Sequence, residues 1–91
     1  MEPNNNNIMN NWWVYILECN DGTLYTGITT DVDKRLHEHN HSNKGAKYTR
    51  NKRPVKLVYT EPSDNRSTAS KREYQIKQLS RKDKLKLINN E

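Results

Sequence analysis

Apolar and β-prone residues are concentrated in three short stretches of the chain. Residues 12–19 (WWVYILEC) and 23–29 (TLYTGIT) flank an Asn-Asp-Gly tight-turn signal at 20–22, and together they predict a β-hairpin. The third stretch, residues 54–60, alternates apolar and polar positions after an initial proline, as a strand that begins at a proline does. The chain therefore predicts three strands, of which the first two are joined by a tight turn.

Helical patterns follow the hairpin and the third strand. Thr30 with Asp33 three residues later is a capping signature, and apolar residues then recur at helical spacing over 31–40. Ser67 is predicted to cap a second helix that continues to about residue 79, and Ser80 to cap a short third one. The element order is β-β-α-β-α-α. This order predicts an α+β fold, a small three-stranded antiparallel sheet flanked by helices.

Length and composition limit the chain to one small domain. Of its 91 residues, 31% are hydrophobic and 30% are charged, so the core is small. Residues 1–11 are polar and Asn-rich, and we expect a flexible extension there, followed by a single domain over 12–91. No apolar run approaches the roughly 20 residues that span a bilayer, and Cys19 is the only cysteine. We expect a soluble, cytoplasmic protein without a membrane partner.

The net charge of +5 is unevenly distributed. Residues 1–45 carry three basic and six acidic side chains, whereas residues 46–91 carry thirteen and five. Clustered basic residues favour a nucleic-acid partner, because docking releases condensed counterions. The basic, non-periodic loop over 41–53 and the start of the third strand contain the densest cluster. The predicted nucleic-acid contacts are Lys44, Lys47, Tyr48, Arg50, Lys52, Arg53 and Lys56.

This basic segment has no base-reading spacing, so we expect it to recognise DNA by backbone and shape. Tyr48 lies within the cluster, where an aromatic ring can stack on a splayed base. The alternative interpretation is a solvated loop that keeps the protein in solution.

Both longer helices place charged side chains beside apolar ones. Glu73 falls on or beside the apolar stripe of the second helix, and such a carboxylate needs a cation or metal partner unless it lies at the edge of the stripe. Arg35 and His39 are four residues apart on the first helix and share a face. Alternatively, Arg35 pairs with Asp31, and His39 complements the negative end of the helix.

The hairpin adds two tyrosines, Tyr15 and Tyr25. A phenol has a pKa of about 10, so it deprotonates a water only if a cation or metal lowers that value. Both tyrosines are also ordinary packing residues for a β-hairpin. Taken together, these positions resemble the GIY-YIG nuclease family over residues 12–88, and most closely its small stand-alone bacterial branch. The matching residues are Trp13-Val14-Tyr15, Tyr25-Thr26-Gly27, Arg35, His39 and Glu73.

The resemblance implies the fold predicted above and the hydrolysis of a DNA phosphodiester with a single Mg²⁺ or Mn²⁺ ion. Gly27 would be the structural glycine of the second motif. The first motif reads WVY, without the glycine and isoleucine of the family, and the second reads YTG, with Thr26 in place of isoleucine. The motif tyrosines and Gly27 are retained.

The resemblance also implies a role for each matched polar residue. Glu73 would be the metal ligand, which suits a hard cation that takes one or two carboxylates. Arg35 would clamp the scissile phosphate with its planar fork of donors. Tyr15 is the first candidate to activate the water, Tyr25 would orient the phosphate or nucleophile, and His39 would assist proton transfer. Which group is the general base stays open.

The leading hypothesis is a structure-directed DNA endonuclease, because a lone small domain has no sequence-reading module. Two alternatives share the same scaffold. One is a non-catalytic nucleic-acid-binding module, and the other is an adaptor that brings a partner protein to DNA.

Overall fold

A computed structural model describes residues 11–90, so the predicted N-terminal extension lies, apart from its last residue, outside the described residues. The element order confirms the predicted α+β fold, with one short helix added inside the segment predicted as a loop. Among residues 11–90, no helix is both long and apolar enough to cross a bilayer. The elements are β1 (Trp12–Glu18), β2 (Leu24–Thr29), α1 (Val32–His41), α2 (Lys47–Arg50), β3 (Lys56–Ser63), α3 (Arg66–Gln78) and α4 (Arg81–Ile88).

The three strands form one antiparallel sheet in the order β2-β1-β3. β3 spans Lys56–Ser63 rather than the predicted 54–60, because its pairing with β1 continues to the first residue of that strand. At the centre of the sheet, Tyr15 on β1 is paired with Gly27 on β2 and with Thr60 on β3. The central position of β1 puts Tyr15 in the interior.

Both faces of β1 are covered, which explains why this strand is an almost unbroken apolar run. Side chains alternate along a strand. Val14 and Ile16 therefore share one face, where they pack with the two buried residues of α3. Tyr15 and Leu17 point to the opposite face and pack with Val55 from the loop before β3. This second face carries the tyrosine of the first motif.

The helix caps differ in part from the predicted ones. Asp31, not Thr30, caps α1, and its side chain accepts a hydrogen bond from the main chain three residues later. Asn65, not Ser67, caps α3, because it forms a reciprocal capping box with the residue three positions on. The predicted Ser80 cap of α4 is confirmed.

The segment between α1 and β3 is held against the C-terminal end of α1. The Asn40 side chain bonds both main-chain groups of Val55, at 3.1 and 2.7 Å. Gly45 packs so closely on α1 that a Cβ there would lie 2.7 Å from the nearest carbonyl oxygen. The Arg53 guanidinium donates to the main-chain carbonyls of Glu38, His39 and Ser42.

Candidate active site

Tyr15 and Gly27 form the centre of the candidate site. They are directly paired between β1 and β2, and the Tyr15 ring lies over the glycine. A Cβ at position 27 would be 2.5 Å from the Tyr15 hydroxyl oxygen, far inside van der Waals contact. Gly27 is therefore required at this position to make room for a side chain across the strand pair.

His39 reaches the same point from α1. Its Nε2 lies 2.8 Å from the Tyr15 hydroxyl, and its Nδ1 lies 2.9 Å from the Thr49 hydroxyl. The Tyr25 ring meets the imidazole edge to face, with 5.2 Å between ring centroids. Burial, reinforced by the nearby charge of Arg35, lowers the pKa of His39 to about 4. The imidazole is thus neutral at pH 7.

The Tyr15 phenol is buried and protonated at neutral pH. Burial is the main cause that raises its pKa to about 12, and the neighbouring Tyr25 adds to the effect. Arg35 opposes the rise, because a cation favours the phenolate, whereas the Glu73 carboxylate contributes to it. Tyr15 is therefore within electrostatic reach of Tyr25, Arg35 and Glu73.

Arg35 is held in place by two hydrogen bonds from Nη1. One goes to Glu38 Oε1 at 3.0 Å and the other to the Lys44 carbonyl at 2.7 Å. Burial opposes the charge of Arg35, but hydrogen bonding to Glu38 and Tyr15 keeps its pKa raised. The alternative pairing with Asp31 is not the one observed, because that carboxylate caps α1.

The bonds from Nη1 leave the three N–H groups of Nε and Nη2 for Tyr15 and for a phosphate, whose oxygens match the fork arrangement of the guanidinium. Arg35 also lines an open cleft beside the hairpin. The residues that line this cleft are Thr29, Thr30, Asp31, Lys34, Arg35 and Glu38. Two cationic and two acidic side chains thus line the cleft.

Glu73 lies on α3, which packs on β1 and β2 from the face opposite to Tyr15, and its carboxylate acts on the Tyr15 phenol electrostatically. The Glu73 side chain is 23% exposed and lies beside the fully buried Ala69 and Ile76. Glu73 is thus at the edge of the apolar stripe, one of the two positions that the sequence allowed. Its Oε2 is 3.1 Å from Nζ of Lys77, one turn later. The carboxylate thus has a cation partner and is partly open to solvent.

The donor set fits a hard divalent ion better than zinc. Among residues 11–90, no group of three or more His, Cys, Asp or Glu side chains is arranged to bind a metal ion. Zinc sites use three or four protein ligands. Mg²⁺ keeps several waters and takes one or two carboxylates together with substrate phosphates, so a single carboxylate such as Glu73 is sufficient.

Part of the predicted nucleic-acid surface adjoins this site. Lys44, Lys47 and Arg50 are exposed on and around α2. Tyr48 is 45% exposed, and its ring stacks on Tyr25 with 5.8 Å between centroids. The stack connects the basic segment directly to the aromatic cluster around His39.

The remaining three predicted contacts are engaged within the fold. Lys52 pairs with Asp21 at 3.3 Å and lies over the Tyr48 ring, 4.0 Å from its centroid. Lys56 pairs with Glu18 across the sheet at 3.6 Å. The Arg53 guanidinium faces the end of α1 rather than solvent, as described above.

Sequence reasoning missed several residues that support the site. The pairing of Arg35 with Glu38 has a signal, since residues three or four apart on a helix are neighbours. Glu73 and Lys77 are four residues apart, so their pairing carries the same kind of signal. Thr49 and Gly45 have no such signal, because their contacts depend on how the segment before β3 docks on α1.

The chain belongs to the GIY-YIG family, a family of nucleases, because a model described as the GIY-YIG catalytic domain matches residues 11–87. It is 62% identical over 77 residues to a UPF0213 protein of Desulfotalea psychrophila, covering 85% of this chain and 70% of that one. It is 53% identical over 81 residues to a UPF0213 protein of Staphylococcus saprophyticus, and the match covers 89% of this chain and 98% of that one.

The fold is similar to the solution NMR structure of a UPF0213 protein of Bacillus halodurans. The TM-score is 0.57 at 49% sequence identity, with 88% of this chain and 84% of that chain covered. These matches confirm the resemblance and the fold that the sequence predicts.

Proposed function

We propose that this protein is a divalent-metal-dependent endonuclease that hydrolyses a phosphodiester bond in DNA. One observation carries the proposal: Tyr15 contacts His39 and lies within electrostatic reach of both Arg35 and Glu73. A phosphate clamp, a proton-handling pair and a metal-binding carboxylate meet the three chemical needs of the reaction.

Arg35 binds the scissile phosphate. Its bonds to Glu38 and to the Lys44 carbonyl fix the guanidinium before substrate arrives, so little side-chain freedom is lost on binding. The Nε and Nη2 donors then bond to non-bridging phosphate oxygens. A lysine has no fork and cannot make the same set of contacts.

Tyr15 and His39 act together on the attacking water. A phenol whose pKa is raised is fully protonated, so it accepts the water proton only as it passes its own proton to His39 Nε2. The bound phosphate is negative, and its charge favours the imidazolium that this transfer forms. As the water oxygen bonds to phosphorus, the bond to the 3′ oxygen breaks, and that oxygen leaves with the bonding electron pair and takes a proton from solvent. Tyr25 beside His39 orients the reacting groups.

Glu73 is the residue that would hold a single Mg²⁺ or Mn²⁺ ion. When bound, such an ion supplies charge neutralisation at the scissile phosphate and at the leaving oxygen. In the chain itself, the ion pair with Lys77 holds the carboxylate in position. Its weak, partly exposed pairing is easily exchanged for a divalent cation.

DNA binds across α2 to reach this site. Lys44, Lys47 and Arg50 contact phosphates, and Tyr48 stacks on a base that distorted or branched DNA leaves unpaired. Lys52 and Lys56 extend the basic surface at its margins, and Arg53 acts through the fold. These contacts read backbone and shape, so the enzyme is structure-directed and acts on cytoplasmic DNA.

End-labelled duplex, nicked, flap and forked DNA test the proposal, each incubated with the protein in Mg²⁺, in Mn²⁺ and in chelator. We expect metal-dependent cuts, strongest in the distorted substrates. Arg35→Gln should lose cleavage, whereas Lys82→Gln, which changes an exposed lysine of α4, should retain it. Salt-dependent binding without cleavage of any substrate would instead support the non-catalytic binding module.

A further inference from the structure

Thr49 makes a fully buried contact with the catalytic histidine. Neither side chain has any exposed surface, and the Thr49 hydroxyl lies 2.9 Å from His39 Nδ1. The same hydroxyl also donates to the Ala46 carbonyl at 2.9 Å. A carbonyl only accepts, and a hydroxyl has one proton. With that proton used on Ala46, the Thr49 oxygen is left to accept from His39.

We propose that Thr49 is a positioning residue that holds His39 in its Nδ1–H tautomer and so turns the lone pair of Nε2 toward Tyr15. Its catalytic consequence rests on the proposed function, but the tautomer itself does not. Because His39 is neutral at pH 7, one ring nitrogen carries the proton and the other accepts.

The hydrogen bonds then run in one direction. Tyr15 donates to His39 Nε2, His39 Nδ1–H donates to Thr49, and Thr49 donates to Ala46. This leaves the lone pairs of the Tyr15 oxygen toward Arg35 and the attacking water. In the opposite tautomer, Nε2–H would donate to Tyr15, and His39 would be unable to take the phenol proton.

The segment that carries Thr49 also fixes the backbone of His39. Arg53 donates to the His39 carbonyl, and a Cβ on Gly45 would lie 2.8 Å from the His39 Cα. The main chain and the imidazole ring are therefore both held by residues 45–53. This arrangement gives the basic segment a role inside the site that is separate from its exposed charges.

The tautomer is measured directly on the ¹⁵N-labelled full chain at pH 7, by long-range ¹H–¹⁵N correlation of the histidine rings. The His39→Gln spectrum assigns the signals. We expect the wild type to show a protonated Nδ1 and an unprotonated Nε2 for His39. An Nε2–H tautomer in the wild type would overturn the proposal, whatever the Thr49 variants show.

Two variants then test Thr49 itself. Thr49→Val keeps the shape but removes the acceptor, so we expect a mixture of tautomers or a switch to Nε2–H. We also expect a fall in kcat of at least about tenfold with KM little changed. Thr49→Ser restores the hydroxyl and should restore both the wild-type tautomer and the rate. Retention of a pure Nδ1–H tautomer in Thr49→Val would overturn the positioning role.

The two proposals fail separately in these experiments. If the wild type has the expected tautomer, lost in Thr49→Val, but cleaves no DNA, the proposed function fails and the positioning role stands. If the wild type cleaves DNA while Thr49→Val has unchanged kcat and tautomer, the nuclease stands and the positioning role fails.

Discussion

Tyr15 and His39 are 24 positions apart in the chain, yet the Tyr15 hydroxyl and His39 Nε2 are joined by a 2.8 Å hydrogen bond in the interior. The strand in the middle of the sheet supplies the first residue, and the helix after the hairpin supplies the second. Two buried, titratable side chains in direct contact are costly unless each satisfies the other. This pair is the structural core of the candidate site.

Tyr15→Phe should lower the cleavage rate by at least about 100-fold, the usual contribution of a proton-transfer group. The ring still fills its place between the strands, so the folded structure is kept. Loss of the hydroxyl leaves His39 without a partner and should lower the free energy of unfolding by about 1–2 kcal/mol. Single-turnover kinetics and urea unfolding measure the two effects.

Tyr59→Phe is the matched control for that variant. Its hydroxyl donates to Glu61 at 2.6 Å on the other face of the sheet, so its loss removes a comparable hydrogen bond outside the site. Cleavage should be unchanged. Equal loss of activity in the two variants would mean that Tyr15 contributes only stability.

Gly27→Ala should reduce cleavage by at least about tenfold and the free energy of unfolding by about 1–3 kcal/mol, because the new Cβ displaces the Tyr15 hydroxyl. Gly22→Ala offers a comparison, since Gly22 has a φ of +85° and open space around it. It should lose about 1–2 kcal/mol of stability through backbone strain alone and keep its activity. Normal cleavage by Gly27→Ala would contradict the placement of Tyr15.

Stability should fall between pH 6.5 and about pH 4 because of His39. Its pKa is 6.5 in the unfolded chain and about 4 in the folded one, so within this window the unfolded state binds the extra proton. The expected loss is on the order of 3 kcal/mol. Hydrogen bonds from Thr23, together with Lys52, lower the pKa of Asp21 to about 2. Protonation of Asp21 therefore reduces stability only below this pH window.

Urea unfolding at pH 7.5, 6, 5 and 4.5 checks the pH dependence. His39→Gln should remove most of the loss in this range, whereas His37→Gln, which changes an exposed histidine of the same helix, should retain it. A wild type whose stability is constant from pH 7.5 to 4.5 would show that His39 is not buried as a neutral ring.

Arg53→Ala and Lys47→Ala should separate the two kinds of basic residue. Loss of the Arg53 bonds to the end of α1 should cost about 2 kcal/mol of stability. Lys47 is exposed, so its loss should leave stability within about 0.5 kcal/mol but weaken DNA binding and reduce its salt slope by about 1. Urea unfolding measures stability, and DNA binding at several salt concentrations measures the salt slope. A Lys47→Ala variant that loses stability, together with an Arg53→Ala variant that loses only DNA binding, would contradict these roles.

The sequence predicts the elements and the motif residues because both depend on local patterns. The apolar run of β1 and the turn at Asn20-Asp21-Gly22 define the hairpin, and the spacing from Tyr15 to Glu73 identifies the family. The short helix α2 and the role of Thr49 were not predictable in this way. Four helical residues have no periodicity to detect, and the Thr49 contact exists only after residues 45–53 dock on α1. The cap at Asn65 was missed because Ser67 has the same chemistry two positions away.

The carboxylate of Glu73 tests the central claim most directly. Single-turnover cleavage of the preferred DNA should be measured over a range of Mg²⁺ and Mn²⁺ concentrations for the wild type, Glu73→Gln and Glu18→Gln. Mn²⁺ binding and DNA binding should be measured in parallel. We predict that Glu73→Gln loses cleavage by at least about 100-fold and binds Mn²⁺ more weakly but still binds DNA, and that Glu18→Gln behaves as the wild type. Equal metal-dependent cleavage by Glu73→Gln and the wild type would contradict the account.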